Sequence, residues 1–559
     1  MSASHRKINR TLLWSAVAAV APTILCASRA AAQTQTLVYS AYDTYEVGSN
    51  SWNGDGQYSY NYFYGSNTGS DVNYLGNPYS DPSAGGNQYQ YPIIDFQLPT
   101  LPADQQVISA EVTLRIANNG TNVAQNFSAD LNALDVGPYA PNNAQFQQSG
   151  TLIAPAIINP SSPTYTDLDT NTSQSTALAN FINSQGYVPF NMLTMRVTPE
   201  TDPTGSFYDL GSADWPGMNP VLTLTTAAVL SWNNATATSP ADGVTWDTSN
   251  NNWNNGTSAT TYSDPDLVIF NDTNNGNYSV SLNTTVSPTS VTVNNSAGNY
   301  TIGGTGEIST ATLAKSGSDT LNLGTALNAG SLSISAGTLK LASGVSAGAG
   351  PAPASSINIA SLSITGSGQL DINNNHVIIS YGSSDPIATV AAYIKSGYNQ
   401  GHWDGPGIIS SAAATLNNGH AYGVGWADGA NKIVSGLSSG QIELKYTLIG
   451  DANLDGTVNG SDFSILAANF GQGYTNWDQG NFEFTPAVNG TDFSALAANF
   501  GQGDSGADAA VSQADIAALD SFALANNLPL PAIAAVPEPA CMGLIATAGF
   551  AALARRKRR

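Results

Sequence analysis

Between residues 230 and 380 the apolar positions come in alternations too short to bury a face of their own. They are Tyr278-Ser-Val-Ser-Leu282, Val291-Thr-Val293, Leu321-Asn-Leu323, Leu332-Ser-Ile334, Leu339-Lys-Leu341, Leu362-Ser-Ile364 and Leu370-Asp-Ile372, with Gly, Ser and Asn turns between them. A rung this short gains a core only by stacking on its neighbours. The pattern predicts a β-solenoid-like region; its irregular period leaves a sandwich of short strands as the other arrangement. Trp232, Trp246 and Trp253, each followed by Asn or Asp, stand where such a stack begins. Rings there either plug the open first rung or grip a glycan.

Before this zone, over residues 36–226, longer alternating segments such as Glu111-Val-Thr-Leu-Arg115 and Val221-Leu-Thr-Leu224 are separated by Gly, Pro and Asn turns. That spacing predicts an antiparallel β-sandwich. Tyr58, Tyr60, Tyr62 and Tyr64 alternate, which puts four rings on one face of a strand. Such a face either covers a core or stacks on sugar rings. The stretch Tyr91-Pro-Ile-Ile-Asp-Phe96, the Pro-bearing loop after it and the strand Val107-Ile-Ser-Ala-Glu-Val-Thr-Leu-Arg115 resemble the DNRLRE-type domains. That resemblance implies a jelly roll similar to carbohydrate-binding modules, although the Arg expected near the first strand is absent. Leu313-Ala-Lys-Ser-Gly-Ser-Asp-Thr-Leu-Asn-Leu323 resembles the autotransporter-associated β-strand repeat, which implies β-helix geometry.

Charge narrows the partners. The chain holds 16 Lys and Arg against 39 Asp and Glu, and between its two ends only Arg115, Arg196, Lys315, Lys340, Lys395, Lys432 and Lys445 are basic. Nucleic acid is excluded as a partner, because phosphate binding is built on Lys and Arg. Neither cysteine, Cys26 or Cys541, falls in the expected mature body, so disulfide and thiol chemistry are excluded there. Arg6, Lys7 and Arg10, an apolar run and Ala30-Ala31-Ala32 read as a signal peptide over residues 1–32, hence as export. A lipoprotein reading through Cys26 fits less well after the bulky Leu25.

The sharpest chemical pattern is Asp451-Ala-Asn453-Leu-Asp455-Gly456-Thr457-Val458-Asn459-Gly-Ser-Asp462. Oxygen ligands at loop positions 1, 3 and 5, Gly at 6, a backbone carbonyl at 7 and a carboxylate at 12 are the requirements of a Ca²⁺ loop. Asp451, Asn453, Asp455, Thr457, Asn459 and Asp462 are therefore the expected metal residues. Phe463, Leu466 and Phe470 then mark a helix leaving the loop. The segment 490–503 repeats 460–473 with two substitutions, and this duplicated loop-helix, residues 448–504, resembles the type I dockerin. The resemblance implies a calcium-ordered module and a cohesin-like partner, with Gly460-Ser461 and Gly490-Thr491 at the recognition positions. The second loop has Asn481, Glu483, Asn489 and Asp492 at ligand positions, but Thr485 and Pro486 replace the residues at 5 and 6. It is expected to be a weak or empty site.

Residues 381–447 form a mixed connecting region with a helix expected at 388–396. His376, His402, His420, Asp404 and Asp428 lie in or near it, in no compact ligand or catalytic spacing. Over 505–535 the sequence predicts a helix capped by Ser512 and Asp515, followed by a tether. In the final segment, 536–559, Pro537-Glu538-Pro539 precedes a short apolar run and five bases, and resembles the PEP-CTERM sorting signal. That implies an exosortase-type processing enzyme, with a plain membrane anchor as the other reading.

The whole is expected to be mainly β: a jelly-roll sandwich, a solenoid-like middle, a small helical dockerin-like module and a transmembrane-type sorting tail. This order predicts an exported, envelope-associated, non-catalytic surface or extracellular-matrix protein linked to exopolysaccharide. The alternative is an accessory or catalytic part of polysaccharide degradation.

Overall fold

The computed structural model describes residues 35–40, 43–49, 62–64, 72–81, 86–118, 127–134, 150–162, 165–185, 192–200, 207–211, 217–233, 241–345, 356–417, 419–504 and 509–529. The expected leader, Tyr58, Tyr60 and the Pro537-Glu538-Pro539 tail lie outside them. The protein is mainly β. Five α-helices occur among the described residues: α1 (Thr172–Ser184), α2 (Ile387–Tyr398), α3 (Gly460–Asn469), α4 (Gly490–Asn499) and α5 (Gln513–Ala525). None is long and apolar enough to cross a membrane.

The first part pairs antiparallel throughout. The strand Gln105–Asn118 lies beside Val221–Trp232, with Val112 opposite Leu222 and Ala110 opposite Leu224. Gly86–Gln97 lies beside Met192–Pro199 and Asp43–Ser49. Alternation sends Ala110, Val112, Leu114 and Ile116 inward, and a register shift brings Val107 to the same side, onto a core shared with Ile94, Phe96, Leu131, Met195 and Leu222. Helix α1, absent from the sequence expectation, lays Leu178, Ala179 and Ile182 on the same core. A capping box between Asn171 and Gln174 starts it. Tyr62 and Tyr64 sit on a short strand paired with Asp43–Ser49.

From residue 267 the pairing turns parallel and in register. Val268 stacks on Val291, Val291 on Leu313, Leu313 on Leu332, and Leu332 on Leu362. A second column runs Tyr300, Leu321, Leu339, Leu370, Ile408. These three-residue alternations share one buried core because like residues stack on like, which supplies from neighbours the area that each rung lacks. Trp232, Trp246 and Trp253 are buried at its beginning, with Trp253 edge-on to Trp232 at 5.1 Å and to Trp246 at 5.3 Å. Phe270 and Tyr262 complete the cluster. The rings are packing elements, not exposed grips.

The strand Val221–Trp232 runs across the boundary expected between the first two regions. Its first half pairs antiparallel with Gln105–Asn118, and Val229–Ser231 pair parallel with Leu267–Ile269. At the other end the stack closes by changing direction: Gln441–Leu448 pairs antiparallel with both His376–Ser380 and Tyr422–Asp428. Gly407–Ile409, Tyr422–Asp428 and Gln441–Leu448, which fall largely in the region expected to connect, pair into the sheet, and the chain passes from Leu448 straight into the Asp451 loop.

Candidate metal centre

Each loop-helix repeat is organised by the carboxylate at its last position. Asp462 accepts from the backbone N–H groups of Ala452 (2.8 Å), Asn453 (3.2 Å) and Asn459 (2.9 Å). Asp492 does the same for Phe482, Glu483 and Asn489 in the second loop. Asn459 and Asn489 cap α3 and α4, so each helix begins with a complete capping box. Val458 and Val488, one in each loop, bond reciprocally to the segment that follows the other repeat's helix. Val458 N–H donates to Gln502 O and Val458 O accepts from Gly501 N–H, while Val488 N–H donates to Gln472 O and Val488 O accepts from Gly471 N–H. The two repeats thus form a pseudo-symmetric pair.

In the first loop Asp451 is fully buried and accepts from the N–H groups of Asp455 (3.1 Å) and Gly456 (3.0 Å) and from the Thr447 hydroxyl. Asn453 Oδ1 accepts from Asp455 N–H, and Asn453 Nδ2 donates to Asp455 Oδ2 at 3.0 Å. Gly456 takes φ +88°, a left-handed turn in which the Asp504 carboxylate stands where a Cβ would go. Burial pushes the Asp451 carboxyl up to about 7, and burial followed by the Asp451 charge holds Asp462 well above the usual carboxylate range.

The candidate ligand atoms of this loop are all oxygens, the kind a hard divalent cation takes. Asp451, Asn453, Asp455, the Thr457 carbonyl and Asp462 would hold it. Asn459 is committed to the helix cap, accepting from Ser461 N–H at 2.8 Å and donating to the Thr457 hydroxyl at 2.8 Å. As the side chains stand, no three His, Cys, Asp or Glu among the described residues form a group able to hold a metal. Asp462 faces the backbone amides.

The second loop is closed by side-chain amide hydrogen bonds. Asn481 Nδ2 donates to Thr485 O (2.7 Å) and Tyr474 O (2.9 Å), and Asn489 Nδ2 donates to Ala487 O (3.0 Å), the carbonyl at the ligand position 7. Glu483 turns away and accepts from Tyr398 OH at 3.0 Å. Amide donors sit where a cation would be needed. Thr485→Ala removes a hydroxyl that donates to Ala487 O and accepts from Asn489. It should cost about 1 kcal/mol of stability and leave any calcium-dependent gain in melting temperature intact.

The repeats do not stand apart from the β stack. Trp477, between them, donates its Nε1–H to Asp451 O at 2.7 Å and fills a slot against Gly423 and Gly425 of the strand Tyr422–Asp428. Phe484 lies 4.5 Å from the Tyr398 ring and stacks on Trp426 at 5.5 Å. His420 bonds Asn499, and Asn431 donates to Asp478. Across α3 and α4 lies α5, whose Phe522 contacts Phe463, Phe470 and Phe493 at 5.4, 5.0 and 5.7 Å. It also fills the space beside the expected recognition positions. A Cβ on Gly460 would strike the Asp515 carboxylate, and one on Gly490 would strike Leu528.

The other candidate residues are scattered. His376 is buried 3.7 Å from Glu443, His402 is exposed, Asp404 accepts from Asn399, and Asp428 accepts from Tyr381 OH and Ala430 N–H. Sequence reading missed Glu443, Lys445 and Trp477. The visible signal was a strand whose polar residues, Glu443, Lys445 and Thr447, alternate directly ahead of the loop. Compared with known proteins, the chain matches no family model and no curated protein.

Proposed function

We propose that this is an exported, envelope-associated structural protein of a cell surface or extracellular matrix. In this reading its body is a jelly-roll sandwich followed by a β-solenoid, and a dockerin-like module closes the solenoid's last rung with one Ca²⁺ in the Asp451–Asp462 loop. The observation that carries the reading is continuity. Parallel columns of Val, Leu and Ile run from Val268 toward Ile408, and Gln441–Leu448, packed on the same core, leads directly into the loop. A chain built this way is a stiff spacer, suited to a matrix. Calcium would bind selectively to the folded loop and stabilise it.

The module is fused to the stack and its paired helices are covered by α5, so its first partner is this chain itself rather than a cohesin-like domain. A glycan partner rests on the tyrosine-rich start of the sandwich, and processing by an exosortase rests on the tail. The test is location: deletion of residues 537–559 should move most of the protein from the envelope to the medium. Unchanged retention at the envelope would reject the sorting reading. Release of reducing sugar by the purified chain would instead favour the degradative alternative.

A further inference from the structure

The strand Gln441–Leu448 carries Glu443, Lys445 and Thr447 on one face by its period of two, and that face is shut from water, at 1%, 2% and 0% exposure. A buried ammonium is costly unless its donors and charge are met. Lys445 meets one of its donors in the first loop: its Nζ donates to Leu454 O at 2.6 Å. Leu454 sits at loop position 4 with φ +55°, a left-handed conformation that a branched side chain rarely takes. Next along the same face, the Thr447 hydroxyl donates to Asp451. The charges facing Lys445 are Glu443, with His376 behind it, and Asp451, whose carboxyl its charge favours in ionised form. The second repeat has Thr475 at the matching position and no such cation.

We propose that Lys445 is a positioning residue for the first loop: its ammonium holds the Leu454 carbonyl and offsets the Asp451 charge, so the loop keeps its shape before a cation arrives and binds that cation less tightly. The second half of this inference rests on the calcium reading of the loop, while the first half does not. A fixed positive charge inside the fold supports the empty loop by the same field that opposes an incoming Ca²⁺. Removing it should therefore move stability and affinity in opposite directions.

The experiment uses the full chain, with Lys445→Met and Lys445→Gln, melted in EDTA and titrated with CaCl₂ by calorimetry. In EDTA, Lys445→Met should melt about 10 °C below the parent, because Asp451 and Glu443 lose their buried counter-charge. Its Ca²⁺ affinity should rise by about tenfold or more. Lys445→Gln keeps a donor for Leu454 O without the charge, so it should show the tighter binding with a smaller fall in melting temperature.

A purely structural lysine would weaken both stability and affinity, and that result in either variant overturns the proposal. An unchanged melting temperature in EDTA overturns it as well. If Lys445→Met does not fold at all, the affinity of Lys445→Gln decides: tighter binding supports the proposal, and equal or weaker binding rejects it. Absence of calcium heat in the parent chain rejects the calcium reading itself. A fall of Lys445→Met in EDTA would then still support the loop-holding half.

Discussion

Calcium added to the full chain is expected to raise its melting temperature, and Asp451→Ala is expected to remove most of that rise. Selective binding of an ion to the folded state adds about 2.7 kcal/mol at a hundredfold excess over the dissociation constant. Asp451 begins the loop, is as fully buried as Asp462, and gathers Asp455 N–H, Gly456 N–H and the Thr447 hydroxyl. The substitution also takes the Asp451 acceptor from Gly456 N–H and the Thr447 hydroxyl, at a cost of ~1–3 kcal/mol for a buried group left unsatisfied, while Asp455 N–H keeps Asn453 Oδ1. The variant will therefore start from a lower melting point even in EDTA, and the decisive quantity is the increment on adding calcium. An equal increment in parent and variant would place the ion elsewhere.

The second large effect is expected at the other end of the stack. Trp253→Ala should destabilise the protein by roughly 3–5 kcal/mol, the usual cost of deleting a fully buried indole. Trp253 touches Trp232, Trp246, Tyr262 and Phe270, with ring centroids between 5.1 and 6.0 Å, and these side chains are buried at the start of the parallel stack. Chemical denaturation followed by tryptophan fluorescence measures it. A loss below about 1 kcal/mol, the scale of an exposed or readily refilled site, would mean that this cluster does not close the stack.

Local patterns in the sequence carried much of the fold. The Leu-x-Leu alternations required stacking, and they appear as parallel, in-register columns. Ser512 and Asp515 announced α5, which begins at Gln513 with both capping bonds made. The helix expected at 388–396 is α2, Ile387–Tyr398. What escaped was decided by distant contacts. Helix α1 has a visible cap at Asn171 and Gln174, but its apolar stripe of Leu178, Ala179 and Ile182 is thin and its other face is polar.

Glu443 and Lys445 read locally as the wet face of an alternating strand. They are dry because a loop that follows in sequence folds back over them. Composition placed a module boundary near residue 448, yet Trp477 and Phe484 reach across it into the strand Tyr422–Asp428 and α2. In the loop itself the ligand types were legible, but not the orientation of Asp462 toward backbone amides.

The shared strand Val221–Trp232 has a mechanical consequence. Its 12 residues extend about 40 Å at ~3.3 Å per residue, and each end belongs to a different core. A pull along the chain therefore finds no slack linker between the antiparallel part and the parallel stack. It loads the hydrogen-bond ladder to Gln105–Asn118 at one end and the ladder to Leu267–Asn271 at the other. The joint resists in shear, as a splice does in a rope. Tension is carried by a continuous backbone whose failure requires one of two buried cores to open.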